Sequence, residues 1–137
     1  MSKKMSPAAA TLALAGLLLG ISTSDTHAAN EHYPPPFPRK GAVKVLENCR
    51  VIVWKVTWLQ GQWSAMHRHY RDAIVVTLRG GSVDATTLDG KTHTLTDAAG
   101  HVTWSPKGVI HKEAGLTDPP RQAIVIELKP PRADCRL

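Results

Sequence analysis

The stretch HRHYRDAIVVTLRGG, from His67 to Gly81, holds two histidines one residue apart. Along an extended strand, residues i and i+2 face the same way, so His67 and His69 point together, as two ligands of one metal ion must. A surface or hydrogen-bonded pair would read the same. A carboxylate usually follows close behind such a pair, but four residues after His69 the chain carries Ala73.

A second stretch, GHVTWSPKGVIH from Gly100 to His111, ends on another histidine, 42 residues beyond His69. Gly61, five residues, His67, Arg68, His69 and a terminal Gly80 form one half-motif. Gly100, five residues, Pro106, Lys107, Gly108, two residues and His111 form the other. In order and spacing the two halves resemble the signature of the cupin superfamily. Two positions depart from it: the family's glutamate falls on Ala73 and its frequent asparagine on Gly115.

The resemblance implies a small conserved β-barrel in which His67, His69 and His111 converge on one divalent metal. Fe(II) is favoured; Zn, Ni, Cu or Mn would also suit imidazole donors. Cupins with three histidine ligands resemble oxygen-using enzymes, such as thiol and diketone-cleaving dioxygenases, in which substrate and O2 take the remaining positions. A non-catalytic cupin that holds a small molecule or metal is the alternative, since no acid, base or nucleophile is evident beside the histidines. A metal-free barrel that interacts through its edge strands is a third reading.

Asp72 is the nearest substitute for the missing carboxylate. Counting by twos from His69 turns Arg71 and Ala73 inward and Asp72 outward, unless a bulge breaks the count. With three neutral imidazoles the ion keeps its full +2, which makes it a stronger Lewis acid and favours anionic chelating substrates. Arg71 and Thr77 are candidate substrate-binding residues, Thr77 by its inward parity and Arg71 by its guanidinium. His32, His93 and His101 fall outside the motifs, with His101 a candidate hydrogen-bond partner of a ligand. Trp54, Trp58 and Trp104 read as core.

The elements that must carry these residues are short. Ala42 to Leu46, Val51 to Leu59, Ile74 to Leu78, Ser82 to Leu88, Lys91 to Leu95, His101 to Trp104, Val109 to Lys112 and Ala123 to Leu128 have strand composition. Gly, Pro and Asp separate them. Ile52, Trp54, Val56 and Trp58 alternate with Lys55 and Thr57, the period of a strand with one buried face. Asp89-Gly90 signals a two-residue hairpin. No segment of the mature chain shows helical periodicity over ten positions. The expected fold is all-β, a single small jelly-roll-like barrel.

The chain has 137 residues. Lys3 and Lys4 precede an apolar run from Ala8 to Ile21 that ends in Thr26, His27, Ala28, the layout of a secretory signal peptide. The run is too short to span a bilayer. The expected organisation is a signal peptide over 1–28, a Pro-rich arm over 29–40, the barrel over 41–130 and a tail over 131–137. The mature protein would be periplasmic or secreted. Removing Lys3, Lys4 and Asp25 leaves 15 basic and 10 acidic residues, a scattered charge of about +5 without the clustered basic face of a nucleic-acid binder. The expected partner is a small-molecule ligand, with no nucleic acid, no membrane once the signal is removed, and a homodimer left open. Cys49 and Cys135 are permitted to bridge in such a compartment, and a disulfide tying down the tail is one outcome.

Overall fold

The computed structural model describes residues 32–135; the signal peptide expected over 1–28 lies outside them. The described residues form nine strands: β1 (Ala42–Glu47), β2 (Val51–Thr57), β3 (His67–Arg68), β4 (Ala73–Arg79), β5 (Gly81–Thr87), β6 (Thr92–Asp97), β7 (Val102–Ser105), β8 (Ile110–Gly115) and β9 (Gln122–Leu128). They make two antiparallel sheets, ordered β1-β2-β9-β4-β7 and β3-β8-β5-β6. The fold is all-β, as its alternation and turn chemistry predict.

Period-two alternation builds the core. Ile52, Trp54 and Val56 of β2 are buried while Lys55 is exposed, and their partners across the ladder are Glu127, Val125 and Ala123 of β9, also buried. Val83 of β5 brings the second sheet into the same apolar cluster. Val56 and Val83 are fully buried, each contributing about 1.5–3 kcal/mol relative to exposure. The indole N–H of Trp54 donates to Glu127 Oε2 at 2.9 Å, which satisfies a polar group that the core encloses. Trp104 departs from its reading as core: it is 56% exposed. It stands on β7, an edge strand of its sheet, where no further strand covers it.

The proline-rich segment lies against this body. Phe37 is buried and stacks on Trp54, ring centroids 5.1 Å apart. The Arg68 amide donates to the Pro34 carbonyl at 2.9 Å and the Tyr70 hydroxyl to the Tyr33 carbonyl at 2.6 Å. Prolines lack a donor and hold an extended path, so the segment docks by offering carbonyls and side chains. At the other end Cys135 is disulfide-bonded to Cys49 between β1 and β2, which ties the tail to the body.

Candidate metal centre

Strand register brings the histidines together. In the β3–β8 ladder, His67 lies directly across from His111. His69 follows β3 and continues the zip irregularly: its amide donates to the Val109 carbonyl at 2.9 Å, and the Gly108 amide donates to its carbonyl at 2.8 Å. Gly108 sits at φ +97°, a conformation open to glycine, and turns the chain from β7 into β8. Asp72 completes the turn by accepting the Lys107 amide at 2.8 Å. Its carboxylate is therefore a clamp on the loop that delivers His111, and it lies outside the histidine group.

The ligand atoms of His67, His69 and His111 all lie within 4.8 Å of one another. The Nε2 atoms of His69 and His111 are 3.0 Å apart. Two nitrogens each about 2.1 Å from one ion, with bonds near a right angle, are separated by about 3.0 Å. His67 donates from Nδ1 to the Ala65 carbonyl at 3.0 Å, which leaves its Nε2 as a bare lone pair. That Nε2 is buried and has no hydrogen-bond partner. A buried polar atom without a partner is costly, and a cation in the group would satisfy it. His69 Nδ1 lies 3.2 Å from Ser105 Oγ, so in the ligating tautomer it donates to that hydroxyl and its ring is held in place.

All three imidazoles are held neutral. Burial lowers the pKa of His69 to about 4, with the neighbouring His111 and His67 adding to the effect. Burial also lowers His67 and His111, outweighing the opposing pull of Glu113. Neutral lone pairs are the form that binds an ion, so the residues present fit a metal.

Glu113, missed by the sequence reading, completes the surroundings. It stands two residues after His111 on β8, on the same face, with Oε1 3.8 Å from His111 Nε2. Its Oε2 accepts from Arg39 Nη2 at 2.9 Å and from the Trp58 indole at 3.0 Å. Burial alone would raise its pKa, but Arg39, His111 and the Trp58 hydrogen bond outweigh it and bring the carboxyl down to about 2. Counting by twos from His111 would have found it.

The group opens on a cavity of about 370 Å³ walled by Phe37, Trp58, Val75, Val109 and Val125, with Trp104 among its exposed lining. Arg39 and Arg121 line it too, paired with Glu113 and Asp97 respectively. Thr77 faces inward, as its parity predicts, but its hydroxyl accepts from Arg121, so it supports that guanidinium; neither Thr77 nor Arg71 is among the lining residues. His101 pairs with Asp97 at 2.6 Å and is not part of the three-histidine group.

Comparison with known proteins agrees with this fold. No protein-family model matches the chain, and no curated protein sequence does. A cupin domain of Bordetella pertussis is similar in structure at a TM-score of 0.60 and 28% identity, covering 69% of this chain and 99% of that one. An RmlC-like cupin with a double-stranded β-helix fold from Methanocaldococcus jannaschii gives 0.53 at 15% identity, over 73% of this chain and 91% of its own. A cupin superfamily protein of Desulfitobacterium hafniense gives 0.51 at 19%, over 65% and 76%. The likeness to the Bordetella domain, taken with the two half-motifs, puts the chain in the cupin superfamily. Within it, this is a small cupin whose His67, His69 and His111 could hold a metal ion.

Proposed function

We propose that the protein is an exported, metal-dependent cupin that acts on a small molecule, with Fe(II) as its ion and dioxygenase-type oxidation as its reaction. The observation that carries this reading is the three neutral histidines facing one another at the cavity, with the His67 Nε2 lone pair buried and unpartnered. An iron(II) ion held there would supply open coordination positions and redox chemistry toward O2. The protein's own part is to hold and enclose. His67 and His69 are locked by the Ala65 carbonyl and the Ser105 hydroxyl, while Phe37, Trp58, Val75, Val109 and Val125 give the cavity a largely apolar wall.

Side-chain charge in the cavity cancels: Arg39 with Glu113, Arg121 with Asp97, and three neutral imidazoles. The positive field felt by an entering anion is therefore that of the ion, which favours a chelating anionic substrate. Export is supported by the layout of residues 1–28 and by the Cys49–Cys135 disulfide, which suits an oxidising compartment.

The alternative, a cupin that holds its ligand without turnover, draws on Glu113. The acid closest to the histidines is ion-paired and stays ionised far below neutral pH, which makes it a weak proton acceptor. Oxygen uptake by the iron-loaded protein, on adding cysteine or acetylacetone as probe compounds, separates the two. Uptake that requires His111 supports the enzyme; iron bound in full with no uptake on either probe favours the binder.

A further inference from the structure

Trp104, which alternates like a core residue, belongs to a row of apolar side chains on the outer side of the first sheet. The ladders align Leu46 of β1, Val53 of β2, Ile126 of β9, Ile74 of β4 and Trp104 of β7 across the whole sheet. The next row on that side holds Val43, Lys55, Ile124, Val76 and Val102, so Lys55 is the one charge in the two rows. Their neighbours along the strands, such as Trp54, Ala73 and Val125, have the opposite parity and are buried in the cluster that includes Val83 of the second sheet. The second sheet therefore packs on the inner side, and among the described residues no strand packs over the outer rows. None of the row residues is buried: Val43 is 63% exposed, Leu46 50%, Val102 56% and Trp104 56%, and the apolar residues between these edges are half-buried.

An antiparallel sheet open to water on one side normally alternates apolar with polar residues, whereas here both sides are apolar. A third outer row, where Val51 stands across from Leu128, extends the patch. Strand spacings of about 4.8 Å and rows about 6.6 Å apart, with a side-chain margin, give a face on the order of 500 Å². That is at the upper end for the largest apolar patch of a monomer, about 300–600 Å². Two such faces closing on each other remove about 1,000 Å², the size at which a specific interface begins. We propose that this face is where two copies of the chain pair, sheet on sheet about a two-fold axis. Sheets pack this way at about 10 Å, and a two-fold pairing needs only that the patch match itself. β9 is the middle strand of the sheet, so Ile126 lies near the centre of the interface. Lys55 lies to one side on β2, where its stem covers apolar surface and its ammonium reaches the rim. The pairing stands independently of the metal reading.

The test is sedimentation velocity on the mature, disulfide-bonded protein from about 1 to about 300 μM, comparing wild type with Ile126→Lys and Val102→Lys, each checked for folding by circular dichroism. Wild type should be a dimer that dissociates in the micromolar range, as an interface of this size does. Ile126→Lys buries two like charges at the centre and should weaken pairing by at least about a hundredfold. Val102→Lys, on the exposed edge strand, should weaken it by about tenfold. Hydroxyl-radical footprinting of wild type must show Val102 and Trp104 less oxidised at the high concentration than at the low one, a measurement that stands even if the variants fold poorly. Wild type that is monomeric throughout, or a dimer that neither variant weakens and in which Trp104 stays reactive, overturns the proposal. A monomer that binds phosphatidylcholine–phosphatidylglycerol vesicles, and loses that binding in Val102→Lys, also overturns it, because the face then seats a lipid surface.

Discussion

Acid should weaken the metal-free protein through its histidines before it touches its carboxylates. An unfolded histidine titrates at about 6.5, whereas burial lowers His69 in the folded protein to about 4. The folded state therefore resists a proton that the unfolded state accepts. The resulting stability is present in full above the unfolded value, shrinks as pH falls from 6.5, and is gone below about 4. At about 1.4 kcal/mol per unit, His69 alone costs the protein about 2.5 kcal/mol between about pH 7.5 and about pH 4.5, with His67 and His111 acting in the same direction. Glu113, held down near 2, contributes above its unfolded 4.5 and loses that contribution only as pH falls from there toward 2, so the two windows barely overlap. The assay is urea unfolding of chelator-treated wild type and His69→Gln at the two pH values. The variant, neutral at both, should lose less stability than wild type by about that amount. Equal losses in the two proteins would refute the reasoning.

Two further outcomes follow from the packing. Reducing the Cys49–Cys135 bond opens a loop of sequence separation 86, and the chain-entropy relation gives a loss of about 4–5 kcal/mol, measurable by urea unfolding with and without reductant. Gly115→Ala places a Cβ into the backbone carbonyl of Trp58, which explains why the family's asparagine has no room here. That variant should lose about 2–3 kcal/mol by thermal unfolding, because the obstruction is backbone and cannot swing aside.

What the sequence discloses depends on how local the cause is. Eight of the nine strands among the described residues are legible from alternation and turn chemistry, within a residue or two at their ends except β8, which runs three residues past Lys112. β3 is not, since two residues are too few to alternate; its register against β8 is what puts His67 opposite His111. The three histidines are legible because the two half-motifs encode turns such as that at Gly108. Glu113 has the parity of His111 and was there to be counted, but its partners Arg39 and Trp58 lie 74 and 55 residues away and meet it only through folding. Trp104 alternates like a core residue, and alternation does not say which strand ends a sheet. Two cysteines far apart in the chain carry no sign of meeting until β1 and β2 and the tail are in place.

The central claim is that His67, His69 and His111 form a metal site. Its most direct test is elemental analysis of the purified mature protein after reconstitution with Fe(II), Zn(II), Ni(II), Cu(II) or Mn(II), with His111→Ala alongside. The account predicts one tightly held equivalent in wild type and loss of it in a variant that remains folded. Wild type that holds no stoichiometric metal, or a His111→Ala protein that holds as much as wild type, would contradict it.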